Sequence, residues 1–309
     1  MKKIFLVLLS QCVPLSGFAY NTTNHEAITR QAIYLLNASY CCDFITPEEA
    51  KMIIKGNVSE DDNFLKGLSR PINQHFYNPR KANKYWKRIQ SITVRFERIA
   101  KRCFKRIDSK KYFKYVGEII HHIQDMTNPS HVVPVYHGPG LKDKFDEQYL
   151  SCYFPKRVEI DTLRSYGPIY LTSTLKPVAE KTLEAIKQSF EIYVMQDGVC
   201  IPRKIDWSCF WNENPTDWFG QYGYIGKPDK CAGEKIDNYF VSTIIKGDTT
   251  YFVDKLIYED FSRKQVELAV LETARFLFYA KRMYDRQYPN QKSLCIPKDA
   301  GRFIVFEAI

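Results

Sequence analysis

Apolar residues recur every three to four positions along most of the chain, which is the spacing of one face of an α-helix. In residues 25–37, for example, this spacing places Ile28, Ala32 and Leu36 on one stripe. We predict helices at 25–37, from Pro47, at 81–104, at 110–127, from about 142, at 176–195 and at 260–286. The pattern therefore predicts a mainly α protein built as a single helical domain.

Residues 196–258 depart from the helical pattern. They contain three of the four tryptophans and a run at 239–245 that is rich in β-branched and aromatic residues. Such runs favour strands. We predict an irregular, β-containing hairpin or loop insertion at about 150–258, inside a domain that spans 20–290 and is followed by a C-terminal tail at 291–309.

The beginning of the chain has the pattern of a secretory signal peptide. Two lysines precede an apolar run at 4–9, and Ala19 supplies the small residue that a signal peptidase reads. We predict a signal peptide at 1–19, cleaved so that Tyr20 becomes the first residue of the mature protein. The protein is therefore expected to be secreted or periplasmic.

The composition agrees with a globular, exported protein. Of 309 residues, 45% are hydrophobic and 26% are charged, which excludes a disordered chain and allows a sizeable core. The net charge of +10 fits a polyanionic partner without separating nucleic acid from anionic lipid. Nine cysteines become eight without Cys12 of the leader, enough for four disulfides whose pairing stays open. The absence of C-x-x-C spacing favours structural disulfides over a zinc-thiolate site.

The histidines carry the clearest chemical signal. His121 and Asp125 are four residues apart on a predicted helix, so an imidazole nitrogen and a carboxylate oxygen share a face and can bind one cation. His131 follows Pro129, which is expected to end that helix. His122 points away from the ligand face in this reading, and we interpret it as structural.

The spacing H-x3-D-x5-H after an apolar helix resembles the central motif of the secreted zinc-dependent phospholipase C family. The helical fold of that family is shared with the single-strand-specific zinc nucleases. Similar motifs of the superfamily follow one another in order at 24–33, 56–61 (Gly-Asn-Val-Ser-Glu-Asp), 74–79 (Gln-His-Phe-Tyr-Asn-Pro), 214–218 and 260–286. The resemblance covers most of residues 20–286 and implies a single domain of this helical type.

The resemblance implies up to three zinc ions. His75, His121 and Asp125 would bind the first, and Asp125 would bridge to a second. The second zinc would also be bound by His25 and by the amino group and carbonyl of Tyr20. Because the amino group of Tyr20 is free only after cleavage, the resemblance also implies that the site is completed on export.

The third zinc is where the sequence departs from the family pattern. His131 matches its first ligand, but Lys142 stands where the family has a second histidine. Asp146 matches the carboxylate position, and Asp143 lies one helical turn from it, so carboxylates could complete the site. His137 is a further candidate.

Asp61 matches the family residue that orients or deprotonates the attacking water, which implies a catalytic role. The alternative is that Glu60, Asp61 and Asp62 form a solvated acidic turn. We expect Glu60 and Asp62 to lie on the surface or behind the ligands.

The resemblance implies an exported, zinc-dependent phosphodiesterase that hydrolyses phospholipids to diacylglycerol and a phosphorylated head group. The run His75 to Pro79 is closer to the lipase signature than to that of the nucleases, and a phospholipid or membrane surface is the expected substrate. The alternatives are a nuclease acting on single-stranded nucleic acid, or a binding protein that retains the scaffold without the chemistry. No obligate protein partner is evident.

Overall fold

The computed structural model describes residues 22–40, 42–62, 76–77, 92–105, 107, 111–133, 135, 145, 155, 174–196, 198–212, 221–222, 239–240 and 250–288. The predicted signal peptide and the predicted C-terminal tail lie outside these residues. Most of the described residues are helical, which confirms the mainly α class.

The helices of the described residues are α1 (Thr22–Ala38), α2 (Pro47–Asp62), α3 (Thr93–Phe104), α4 (Tyr112–Asp125), α5 (Pro129–Val132), α6 (Leu175–Ile186) and α7 (Lys255–Gln287). The helices predicted at 25–37, from Pro47, at 110–127 and at 260–286 are confirmed. Of the helix predicted at 81–104, the described part is helical from Thr93. Of the helix predicted from about 142, only Phe145 is described, and it is helical.

Helix α2 begins with a reciprocal cap. The amide of Thr46 donates to Glu49 Oε2 at 2.9 Å, and the amide of Glu49 donates to Thr46 Oγ1 at 3.3 Å. These two bonds satisfy amide groups that have no partner inside the helix, which fixes its start. The helix then continues to Asp62, so Glu60 and Asp61 belong to its last turn and are buried. The solvated acidic turn considered above is therefore wrong for these two residues.

Helices α2 and α4 approach each other through two glycines. A Cβ atom on Gly56 would overlap the carbonyl oxygen of Lys114, and a Cβ atom on Gly117 would overlap that of Ile53. The same added atom on Gly117 would lie 2.8 Å from the amide nitrogen of Asn57. Only glycine allows two helix backbones to come this close. Helices α2 and α4 run in the same direction at this contact. The turn that follows Gly56 in α2 therefore lies next to the turn that follows Gly117 in α4.

The long helix α7 closes the core over α1 and α4. The hydroxyl of Tyr112 donates to the carbonyl of Ala280 at 2.9 Å, and the ammonium of Lys281 donates to buried Glu49 at 2.9 Å. Helix α7 spans 33 residues, yet among the described residues neither it nor any other helix is apolar enough to cross a membrane.

The helix predicted at 176–195 is wrong beyond its first part. Helix α6 ends at Ile186, and the chain continues as strand β1 (Ser189–Gln196), which pairs antiparallel with β2 (Val199–Asp206). Gly198 in the connection has φ of 76°, a left-handed conformation that suits a two-residue hairpin turn. The sequence signal was present, because Asp197-Gly198 separates two runs of β-prone residues.

The sheet extends into the stretch that was predicted to contain strands. Strand β6 (Thr250–Asp254) pairs with β1, and β5 (Tyr239–Phe240) pairs with β6, which gives an antiparallel order of β2-β1-β6-β5. A separate short ladder joins β3 (Trp211–Asn212) to β4 (Gln221–Tyr222). The predicted β structure is therefore present, and it begins at Ser189, earlier than expected.

The cysteines do not all pair. Cys103 is a buried free thiol whose sulfur lies 4.0 Å from the carbonyl oxygen of Tyr112, and burial raises its pKa. The eight cysteines, which would allow four disulfides, therefore do not all form them, because Cys103 is free. Cys42 is disulfide-bonded, and its partner is not among the side chains that the structure describes.

Candidate metal centre

Three helices bring two histidines and two aspartates together in the protein interior. His25 comes from α1, Asp61 from the last turn of α2, and His121 and Asp125 from α4. The glycine contact explains how α2 reaches α4, because Asp61 and His121 follow Gly56 and Gly117 by about one turn. All four side chains are at least 99% buried.

The four side chains alternate as histidine and aspartate around a closed ring. His25 Nε2 lies 3.4 Å from Asp125 Oδ1 and 3.7 Å from Asp61 Oδ2. His121 Nε2 lies 3.5 Å from both Asp125 Oδ2 and Asp61 Oδ1. Each carboxylate therefore directs one oxygen at each imidazole. The two imidazole rings stack, with centroids 4.1 Å apart.

A buried hydrogen-bond network fixes which nitrogen of His25 faces the aspartates. The Thr29 hydroxyl donates to the His25 carbonyl, so it acts as the acceptor toward Asn57 Nδ2 at 3.1 Å and Gln124 Nε2 at 3.0 Å. The other atom of the Gln124 amide, Oε1, accepts from Asn57 Nδ2 at 3.0 Å and faces His25 Nδ1 at 2.6 Å. Since Oε1 can only accept, His25 Nδ1 carries a proton and donates it.

This assignment leaves Nε2 as the nitrogen of neutral His25 that has a lone pair. That lone pair is directed at carboxylate oxygens of Asp61 and Asp125, which are also acceptors. An acceptor facing acceptors in a buried site is unfavourable unless a proton or a metal cation lies between them. Metal-binding histidines have this arrangement, in which the far ring nitrogen donates to a fixed oxygen.

The charges of the ring agree with this assignment. Burial raises the pKa of Asp125, but the neighbouring His121, His131, His122 and His25 outweigh burial and hold that pKa well below its usual range. Burial lowers the pKa of His25, but Asp125 and Asp61 outweigh burial and raise it above its usual value. Asp125 is therefore ionised, and a proton and a metal cation compete for the same position on His25.

The donor set fits a metal ion. Ligand atoms held about 2.1 Å from a tetrahedral zinc stand about 3.4 Å from one another. The nitrogen to oxygen distances in the ring, 3.4 to 3.7 Å, match that separation and exceed the roughly 2.9 Å of a direct hydrogen bond. His25, Asp61 and His121 form one group whose ligand atoms converge closely enough for a metal, and His121, His122 and Asp125 form another.

His131 is also buried. It lies in the short helix α5, whose start is fixed by Asn128, because the Asn128 side chain accepts from the amide of Ser130 at 3.0 Å. Its ring stacks on Phe76 with centroids 5.2 Å apart, and its carbonyl accepts from the amide of Tyr77 at 2.8 Å.

His122 is a neighbour of the site that was not predicted from the sequence. His122 is fully buried, with Nδ1 3.5 Å from Asp125 Oδ2 and Nε2 3.7 Å from Glu60 Oε2. The reading that His122 points away from Asp125 is therefore wrong. The spacing of His122 and Asp125 predicts this contact, because residues three apart on a helix are neighbours, as residues four apart are. Glu60 lies behind His122, which is one of the two placements expected for it.

The remaining predicted ligands are not among the described residues. These are Tyr20, His75, Asp143 and Asp146, together with the further candidate His137 and with Lys142. Their predicted roles stay predictions. No family model, no curated protein and no solved structure matches this chain.

Proposed function

We propose that the protein is an exported, zinc-dependent phosphodiesterase of the phospholipase C type, with the helical fold of that family. It would hydrolyse phospholipids to diacylglycerol and a phosphorylated head group. The observation that carries the proposal is the buried ring in which His25 and His121 alternate with Asp61 and Asp125.

In this proposal the ring residues hold the metal. Imidazole nitrogens and carboxylate oxygens are ligands that zinc accepts, and the resemblance to the zinc-dependent family makes zinc the metal of choice. A bound zinc lowers the pKa of a water molecule toward neutrality and offsets negative charge on a phosphate group. The resemblance implies as many as three zinc ions, with Tyr20, His75, His131, Asp143 and Asp146 as the additional ligands.

The geometry changes the role that we propose for Asp61. Each of its oxygens faces one imidazole nitrogen, at 3.5 Å and 3.7 Å, as do the oxygens of Asp125 on the other side of the ring. A residue that takes a proton from the attacking water would need an oxygen directed toward that water. We therefore propose Asp61 as a metal ligand, in place of the catalytic role implied by the resemblance.

The surface of the sheet supports a lipid substrate over a nucleic acid. Three of the five large hydrophobic residues that are most exposed in the described part of the chain, Tyr193, Val199 and Ile201, lie on the β1–β2 hairpin. Exposed Arg203 and Lys204 follow them on β2. Apolar side chains next to basic ones suit the interface of a membrane with anionic lipids.

The test is a paired assay with the purified protein. We expect zinc in the protein by elemental analysis, hydrolysis of phospholipid vesicles, and loss of that hydrolysis with a strong chelator. If the protein releases nucleotides from single-stranded DNA and does not hydrolyse phospholipid, the nuclease is the correct function and the phospholipase is not. If the zinc-loaded protein has neither activity, the remaining alternative is a binding protein that retains the scaffold without the chemistry.

Asp61→Asn separates the two roles of that residue. As a ligand, Asp61 is needed for zinc content, so the variant should lose metal as well as activity. Normal zinc content with no activity would instead restore the catalytic role. Glu272→Gln is the matched control, because Glu272 is a buried carboxylate that pairs with Lys181 and Arg275 on another part of the fold.

A further inference from the structure

The adjacent residues His121 and His122 both approach Asp125, from different sides. His121 precedes Asp125 by four positions and His122 by three, so both lie next to it on α4. His121 Nε2 and His122 Nδ1 are each 3.5 Å from the same oxygen, Asp125 Oδ2. The two rings are nearly perpendicular, with an angle of 85° between their planes.

A carboxylate of helix α2 also lies next to His122, on the side of its Nε2 nitrogen. Just as Asp61 faces His121, the preceding residue Glu60 faces His122, with Oε2 3.7 Å from Nε2. Glu60 and His122 are both fully buried. A neutral imidazole carries one proton, so when Nδ1 of His122 binds a cation, the proton is on Nε2, which faces the Glu60 carboxylate.

In that tautomer the lone pair of His122 is on Nδ1 and is directed at Asp125 Oδ2. The distance of 3.5 Å is longer than a normal nitrogen to oxygen hydrogen bond and fits two ligands of one cation. At His25 the near nitrogen faces the other oxygen of Asp125, and Gln124 holds the far nitrogen at 2.6 Å, whereas at His122 the Glu60 carboxylate lies 3.7 Å from the far nitrogen. A carboxylate behind a metal-binding histidine is a common way to orient the ring.

We propose that His122 is a metal ligand through Nδ1, oriented by Glu60, and that it shares a divalent cation with His121 and Asp125. The set extends the metal site of α4 at Oδ2 of Asp125, whereas His25 faces Oδ1. The proposal rests on the cation binding proposed above, although it does not depend on which substrate is hydrolysed.

The decisive experiment detects which histidine nitrogens bind the metal. The protein is labelled with 15N-histidine, stripped of metal, and loaded with cadmium-113, which replaces zinc and has a nuclear spin. Scalar coupling between cadmium and nitrogen then identifies each bound nitrogen. We expect coupling to Nε2 of His25 and of His121 and, in addition, coupling to an Nδ1 nitrogen that disappears in His122→Gln. Coupling to Nε2 nitrogens alone in the wild-type protein would overturn the proposal, even if the variant does not fold.

The role of Glu60 is tested separately by Glu60→Gln. Loss of a carboxylate behind a ligand typically lowers metal affinity by roughly 10- to 100-fold. We expect a decrease of that size in cadmium affinity, with the Nδ1 coupling retained, and an unchanged affinity in the control Glu272→Gln. Equal affinities of Glu60→Gln and the wild type would show that Glu60 does not orient His122.

The two proposals fail in different ways. A protein that shows the Nδ1 coupling but hydrolyses neither phospholipid nor single-stranded DNA keeps His122 as a ligand and overturns the proposed function. A protein that hydrolyses phospholipid and shows no Nδ1 coupling supports the proposed function and overturns the proposal that His122 is a ligand.

Discussion

The interface between α2 and α4 has two halves with opposite construction. In the first half Gly56 and Gly117 bring the backbones into contact without any side chain between them. In the second half, about one to two turns later, the space between the helices is filled by Asp61, His121 and Asp125. The comparison teaches that the glycines set the separation at which short aspartate side chains can reach the histidines.

A substitution in the glycine half should have the largest effect on the free energy of unfolding. In Gly117→Ala the new methyl group would meet the backbone of α2, which cannot move aside as a flexible side chain can. We expect a loss of about 3 kcal/mol in the free energy of unfolding, at the upper end for overpacking, measured by urea denaturation.

Gly198→Ala is the control for that substitution. Gly198 has φ of 76° but no atom within 4 Å of an added Cβ, so alanine there meets strain without a clash. We expect a loss of about 1 kcal/mol. An equal loss in the two variants would show that close packing does not constrain the glycine half.

The polar half should respond to metal. A cation that binds only the folded protein stabilises it, by about 2.7 kcal/mol when the free metal is 100 times its dissociation constant. We expect removal of zinc by a chelator to lower the free energy of unfolding by a similar amount. In Asp61→Asn the chelator should have little effect, and an undiminished response there would contradict the assignment of Asp61 as a ligand.

A substitution in the hydrogen-bond network behind the polar half should have a smaller effect than removal of the metal. Gln124→Met keeps the length of the side chain and removes the oxygen that fixes the His25 ring. We expect metal affinity to fall by roughly 10-fold, measured by competition with a fluorescent chelator. Gln265→Met is the matched control, because Gln265 is a buried glutamine that accepts from Thr182 on α6. A decrease of equal size in both variants would mean that Gln124 acts only through general packing.

The smallest effect is expected at the edge of the glycine half. The hydroxyl of Ser59 donates to the Gly56 carbonyl at 2.9 Å from a partly buried position. Ser59→Ala should cost about 0.5 to 1 kcal/mol of unfolding free energy and leave metal affinity unchanged. A loss as large as that of Gly117→Ala would show that this hydrogen bond, more than the backbone contact, holds the helices together.

The sequence predicts part of the site because some of its signals are local. The four-residue spacing of His121 and Asp125 places both on one face of α4, and the structure confirms that they face the same ring. His122 was misassigned, although its three-residue spacing to Asp125 carries the same kind of information. The helix predicted over β1 is wrong because short apolar runs fit both periods, and the Asp197-Gly198 dipeptide is the signal that distinguishes them.

Other features depend on contacts between distant parts of the chain. The spacing of residues does not reveal that Gln124 holds the ring of His25, 99 positions earlier, or that Asn57 and Thr29 fix the direction of the Gln124 amide. The same holds for the contact of Gly56 with α4, since a glycine within a helix pattern is ambiguous until its neighbour is known.

The amide of Gln124 also donates to the hydroxyl of Thr273 on α7, at 3.2 Å. This bond links the orientation of His25 to a helix that leaves the ribosome well after α1, α2 and α4 have been synthesised. The complete network therefore cannot form before Thr273 has been synthesised, and the metal-binding geometry of His25 depends on a residue that comes much later in the chain. A chain truncated before α7 would retain all four ring residues and lack one of the bonds that fix them.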